Sequence, residues 1–347
     1  MGKVLGGVTL ALAAAVVTGS IAIAQGQAAA PSQGTAEPPP YWAYGVLPPA
    51  ATPTPAAAAP GGTPKPAGVR PPPDTSLKRI PDSTEAFTMA QLRDFFNVAD
   101  WFPGEHPPMP EVVVHGRAPD VRGCGMCHMP NGLGRPENAP VAGLPYAYIV
   151  QQLADFKNDL RTSAEPRKTN TAQMIQAAKA MTDEEVKAAA TYLAALPWKP
   201  WIKVVEADTI PRMRLSGNVY FSMEDGETEP IGHRIVETPL DNTRFELRDP
   251  HSGFTAYVPK GSLKKGAALV ASGENKTLPC GICHGQDLKG LGPVPGIAGR
   301  SPSYIVRQLY DIQVGARKGT WAPLMKQVVD KLTQDDMIAI AAYVAAQ

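Results

Sequence analysis

Two motifs, "CGMCH" at residues 124–128 and "CGICH" at residues 280–284, stand 156 residues apart and use all four cysteines of the 347-residue chain. Four cysteines in an exported chain would ordinarily be read as two disulfides. Pairs separated by two residues, each with a histidine directly behind it, argue for another use and for two local centres that organise the fold around them.

The repeat extends past the cysteines. "YIVQQLADFK" from Tyr148 and "YIVRQLYDIQ" from Tyr304 share six of ten residues, and each tyrosine lies 24 residues after the first cysteine of its copy. Ile149, Leu153 and Phe156, matched by Ile305, Leu309 and Ile312, mark one apolar helix face. Each copy then closes on a second helical pattern. In "MTDEEVKAAATYLAAL" and "LTQDDMIAIAAYVAAQ", Thr182 and Thr333 precede an acid, Glu185 and Asp336, by three residues, the signature of a capping box. Behind these caps, Val186, Ala189, Ala190 and Leu193 in one copy, and Met337, Ile340, Ala341 and Val344 in the other, form the expected buried stripe. Each copy reads as a small all-helical module with its Cys-x-x-Cys-His near the start.

Three chemistries compete for that motif. A structural zinc ion needs four ligands, and two pairs lying in separate copies would leave both histidines unexplained. A redox dithiol needs a βαβ context, which neither copy shows. Covalent haem c accounts for every residue: two thiols on one helical turn form thioethers with the vinyl groups of one porphyrin, and the next residue faces the iron. Cys124 and Cys127, and Cys280 and Cys283, are therefore expected to attach two haems c, with His128 and His284 as axial ligands. Methionine is a usual sixth ligand in such proteins. Met174 and Met325 each lie eight residues before the capping threonine of their copy. Met181 matches Leu332 and reads as core, while Met126 and Met129 flank the attachment motif on the wrong side of the ring.

On these residues the chain resembles the tandem dihaem class I cytochromes c of the c4 type. The resemblance is carried by the two motifs, the Ala142-Gly143 and Ala298-Gly299 steps ending fifteen residues after each histidine, the "YIVxQL" helices, Met174 and Met325, and the capped last helices. It covers residues 110–197 and 261–347. It implies a mainly α chain of two helical modules, each wrapped round a His/Met haem. It also implies that prolines between the histidine and the Ala-Gly step, Pro136 or Pro140 and Pro293 or Pro295, line the proximal side and orient the histidine; loop punctuation is the other reading.

The chain departs from that family between the copies. "IKVVEADTI", "GHRIVETPL", "TRFELRD" and "GFTAYVP" read as strands broken by turns, a β-rich insert that puts direct contact between the haem modules in question. His233 and His251 lie there and read as surface or turn histidines. Ahead of the first copy, "TMAQLRDFFNVADWFPGEHPPMPEVVVHG" opens with a short helix through Met89, Leu92, Phe95 and Phe96, then becomes a proline-rich loop expected to cover the first module or the insert. The expected order is a leader at 1–24, a Pro/Ala-rich linker at 25–82, a first cytochrome c domain at 83–197, the insert at 198–260 and a second cytochrome c domain at 261–347.

Lys3, an apolar run and Ala22-Ile23-Ala24 make the leader a cleavable export signal, so the mature chain is expected in the periplasm. Left uncleaved, the same run would tether it to the membrane. Of 37 prolines, fifteen fall between Pro31 and Pro81, a stretch too poor in packable side chains to build a core. The isolated "YWAYG" at Tyr41–Gly45 is an aromatic anchor for the protein's own surface or for a partner. Lys and Arg number 33 against 32 Asp and Glu, which leaves no basic footprint for nucleic acid.

Two haems with both axial positions filled offer no open site to a substrate. The expectation is a non-enzymatic carrier of single electrons. By the resemblance, its partners are a membrane quinol-oxidising complex or a periplasmic dehydrogenase on one side and a terminal acceptor such as an oxidase on the other. Two alternatives stand beside it: a cytochrome subunit of a larger dehydrogenase or oxidase, and a dihaem enzyme, a peroxidase or sulfur-compound oxidoreductase, with one haem left open.

Overall fold

The two repeated sequences fold into matching helical sets. The first copy runs through Glu111–Val114, the attachment turn Cys124–His128, then Tyr146–Lys157, Thr169–Ala180 and Asp183–Ala195. The second runs through Ser262–Ser272, Gly281–His284, Pro302–Gln313, Ala322–Val329 and Gln334–Ala345. This is a computed structural model that describes residues 1–2, 37–49 and 74–347; the leader and most of the proline-rich linker lie outside the described residues. Among the described residues no helix is long and apolar enough to cross a membrane.

Both predicted capping boxes form. The backbone N–H of Glu185 donates to Thr182 and that of Asp336 to Thr333, each at 3.2 Å, while each acid reaches back to its threonine N–H. Such a cap is worth about 1 kcal/mol. The stripe behind Thr182 is buried at Ala189, Ala190 and Leu193, with Val186 half-buried. Behind Thr333 burial goes further and takes in Ile338, Ala339, Ala342 and Ala345 as well. The cause is Ser262–Ser272, which lies across the last helix. Gly266 makes that crossing close, because a Cβ there would stand 2.0 Å from the Ala339 carbonyl oxygen. In the first copy only the single turn Glu111–Val114 precedes the attachment motif, so the outer face of Asp183–Ala195 stays exposed.

Neither copy is purely helical, contrary to the sequence reading. Gly116–Arg117 pairs with Val121–Arg122 in the first, and Gly290–Leu291 with Val294–Pro295 in the second. Between the copies, Phe254–Pro259 is the central strand of a three-stranded sheet, parallel to Ile202–Ala207 and antiparallel to Val236–Pro239. Two antiparallel pairs accompany it, Thr209–Pro211 with Thr228–Pro230 and, between them in sequence, the hairpin Met213–Ser216 with Val219–Ser222. The predicted strand in "TRFELRD" is instead the helix Asn242–Glu246. Asp241 caps it by accepting the Arg244 N–H at 2.9 Å, and Phe245 buries edge-on against Phe221 and Phe254.

The segment ahead of the first copy covers both neighbours. Its helix stops at Leu92, leaving Phe95 exposed and Phe96 half-buried outside it. Val98 N–H donates to Val114 and Gly123 N–H to Phe95 within the first copy, whereas buried Trp101 donates its indole N–H to Leu247 of the β-rich segment at 2.8 Å. The aromatic anchor docks on the protein itself. Tyr41–Tyr44 forms one helical turn, and fully buried Tyr44 donates its hydroxyl to Asp311 at 2.7 Å. Gly45, at φ +65°, then passes so near Asn218 that a Cβ would stand 2.3 Å from its carbonyl oxygen.

Despite the insert, the two copies touch directly. Arg161 and Arg317 meet in an antiparallel bridge, flanked by Thr162 N–H to Ala316 and Lys318 N–H to Leu160, both 2.8 Å. Arg300 extends the contact, donating to Pro140 at 2.9 Å and Ala142 at 3.1 Å beneath the Trp198 ring. The separation suggested by residues 198–260 does not occur, because these bonds join the copies directly.

Candidate haem sites

From Arg122 to Arg161 the first copy aligns with Leu278 to Arg317 without a gap, at a constant offset of 156 residues. The backbone keeps the correspondence. Gly132 and Leu288, Gly134 and Gly290, and Gly143 and Gly299 all take positive φ. Gly143 N–H donates to Leu193 at 3.0 Å and Gly299 N–H to Val344 at 2.9 Å, so the Ala-Gly step docks on the capped helix in the same way twice.

Each attachment turn is one short helix that presents its two cysteines, none of them in a disulfide. Burial pushes the Cys124 thiol up to about 12 and the Cys280 thiol up to about 11. Buried, neutral sulfur at Cys124 and Cys280 suits a thioether and not an exposed, reactive thiolate, while Cys283 is exposed. Among the described residues no three His, Cys, Asp or Glu side chains converge as a metal cluster, so the two cysteine pairs are not brought onto one ion.

The histidines behind the cysteines are held identically. His128 Nδ1 donates to the Ala139 carbonyl and His284 Nδ1 to the Pro295 carbonyl, both at 2.8 Å. Burial lowers both imidazole pKa values, favouring the neutral ring. With Nδ1 committed as donor, Nε2 keeps its lone pair for a metal. The expectation that prolines orient the histidine holds for Pro295, whose backbone carbonyl accepts from His284, and is corrected in the first copy, where the acceptor is Ala139 and neither Pro136 nor Pro140.

His128 opens onto a cavity of about 210 Å³ that Cys124, Cys127, Met174, Met181 and Leu153 also line. Met174 is half-buried on Thr169–Ala180. Met181 is buried in the core of its copy, as Leu332 is in the other. Met325, on Ala322–Val329, packs half-buried against the second core. Arg161 and Arg307 bring positive charge to the same cavity, Lys168 adds a buried amine, and Asp120, Glu137 and Asp311 line it as well. Lys168 is only 4% exposed, its Nζ has no hydrogen-bond partner among the described residues, and burial pulls its pKa down to about 6. An unpartnered buried amine near Arg307 is a donor without an acceptor, and a carboxylate of a haem would supply one. The residues present therefore fit the group.

The remaining histidines stay outside. His233 is exposed beside Asp335, and His251 stacks on Phe102 at 3.8 Å while pairing with Glu105 at 2.9 Å. Sequence reasoning missed the cationic lining. One signal was available: Arg161 and Arg317 stand thirteen residues after Tyr148 and Tyr304.

The cytochrome c family model matches residues 118–197. Cytochrome c-554(548) of Halomonas halodenitrificans is 38% identical over 82 residues, which cover 23% of this chain and 99% of that protein. The thiosulfate dehydrogenase electron acceptor of Thiomonas intermedia is 27% identical over 235 residues, 66% of this chain and 80% of that one. Cytochrome c4 of Azotobacter vinelandii is 32% identical over 94 residues, 24% of this chain and 44% of that one.

Proposed function

Because this chain belongs to the cytochrome c family and carries covalent haem c, we propose that it is an exported two-haem carrier that accepts single electrons from a periplasmic sulfur-compound dehydrogenase and passes them to a terminal acceptor. In this reading the haem modules are residues 83–197 and 261–347, the insert is 198–260, and the chain is not an enzyme by itself. The observation that carries it is the direct packing of the two copies through Arg161 and Arg317. Two one-electron centres in contacting modules let an electron received at one be passed on from the other. The alignment with the thiosulfate dehydrogenase electron acceptor supports the donor class, since its 235 residues exceed the length of either module.

When bound, each haem supplies a one-electron iron couple. Cys124 and Cys127, with His128 and Met174, hold the first; Cys280 and Cys283, with His284 and Met325, hold the second. The chain contributes neutral imidazoles fixed by Ala139 and Pro295. Arg161 and Arg307 would balance the carboxylates of the first group, and Lys168 would offer them a hydrogen-bond donor.

The test mixes the oxidised holoprotein with thiosulfate, with and without a carrier-free thiosulfate dehydrogenase, and follows the reduced α band. Reduction is expected only when the dehydrogenase is present. Rapid reduction by thiosulfate alone would make the chain an enzyme, and no reduction in either case would remove this donor class.

A further inference from the structure

One side chain of the β-rich segment reaches the first attachment turn. Arg248 follows the helix Asn242–Glu246 with φ +59°, a left-handed conformation that costs a non-glycine residue about 1–2 kcal/mol. Its Nη2 donates to the Met126 carbonyl, inside the "CGMCH" turn, and lies 3.6 Å from Met129 Sδ. The surrounding loop is pinned on both sides. Trp101 donates to Leu247 at 2.8 Å, and Arg244 pairs at 2.6 Å with Asp249, whose side chain is fully buried.

Arg248 makes no ion pair among the described residues, and the Glu137 carboxylate offsets its charge only from a distance. Burial and the neighbouring Arg135 lower its pKa only to about 10, so it stays a cation at neutral pH. Arg135 itself pairs with Glu137 at 3.0 Å. Arg248 is held by a carbonyl and a thioether, which accept hydrogen bonds without neutralising it. At the matching places of the second copy, Leu278, Ile282 and Leu291 replace Arg122, Met126 and Arg135 and are exposed. The copies share their attachment turns and histidine bonds yet differ in the charge beside the cysteines.

We infer that Arg248 raises the reduction potential of the first haem, a cation that the β-rich segment supplies to one site and not to the other. Ferric haem carries one more positive charge than ferrous haem, so a fixed cation in a poorly solvated place disfavours the oxidised form. The insert thereby biases where an electron rests within the molecule. This rests on the two-haem reading given above.

The experiment first counts covalent haem in the wild-type holoprotein, then titrates it reductively and follows the α band. Two haems and two one-electron waves are expected; fewer than two haems overturns the two-haem reading and this inference with it. In Arg248→Gln, which keeps a donor toward Met126 but removes the charge, one wave shifts to lower potential and the other holds. Arg248→Lys leaves both waves in place. Two haems with unmoved waves in Arg248→Gln, or an equal shift in Arg248→Lys, overturns the role of Arg248 alone. Should Arg248→Gln fail to mature, Leu291→Arg places a guanidinium on the exposed face of the second copy. It raises that copy's wave at low ionic strength, and Arg248→Met titrated beside it decides the role of Arg248, since unmoved waves there overturn the inference.

Discussion

Arg161 and Arg317 each hydrogen-bond the tyrosine hydroxyl of the opposite copy, Arg161 to Tyr304 at 3.1 Å and Arg317 to Tyr148 at 2.8 Å. Both also share the amide oxygens of Gln152 and Gln308. The exchange is reciprocal because donors and acceptors come from the same offsets in a duplicated sequence. Arg161→Met removes three buried hydrogen bonds, leaving Gln152 and Gln308 with Arg317 alone and Tyr304 without its arginine donor, so a loss of about 1–3 kcal/mol is expected. Urea unfolding of the holoprotein checks it, with the covalent haem count unchanged.

Replacing Cys124 and Cys127 with alanine should lower covalent haem from two per chain to one, since the second site keeps its own pair at Cys280 and Cys283. A pyridine haemochrome assay against protein concentration reads the ratio. Two haems in the variant would remove these residues as the attachment point.

Met325→Ala is expected to open the second iron to carbon monoxide while both haems stay attached. The wild-type reduced spectrum should not change under the gas. An unaltered spectrum in the variant would strike Met325 from the ligand set; the same test applied to Met174→Ala addresses the first site.

Asp336 lies between Lys265 and Lys276, with both ammonium groups at 2.8 Å. Burial opposes its ionisation, but the two lysines and the cap at Thr333 outweigh it and hold the carboxyl below its ordinary range. A depressed folded pKa gives stabilisation that is complete above the unfolded value, about 3.9, and is lost as pH falls below it. Stability should therefore drop steeply from about pH 4 downward. Asp336→Asn should be less stable at neutral pH and show a shallower acid decline, read from urea midpoints across that window.

Local features were legible in the sequence because their signals are short. Thr182, Thr333 and the "YIVxQL" faces depend on neighbours three or four residues away, and the attachment motifs on five consecutive residues. The matched spacing also carried Met174 and Met325 onto corresponding helices. Long-range choices were hidden. Nothing periodic in Ser262–Ser272 reveals that Gly266 will let it cross the last helix, and nothing in "LRDP" reveals that Arg248 will turn left-handed toward a motif 122 positions away. "TRFELRD" alternates like a strand, yet a local cap at Asp241 and the Phe245 contacts outweigh that pattern. Contact between the copies was obscured by the length of the insert, although the length of a connection does not decide which surfaces meet.

Tyr44 and Asp311 are 267 positions apart, so the receptor for the aromatic turn is synthesised long after the turn itself. Closing so long a loop adds little equilibrium cost, since loop entropy grows only with the logarithm of length, but non-local contacts form late in folding. The turn at Tyr41–Tyr44 thus acts as a seal on a finished molecule. A chain halted before the second haem module exists leaves those aromatics open to proteases, and only a completed one hides them.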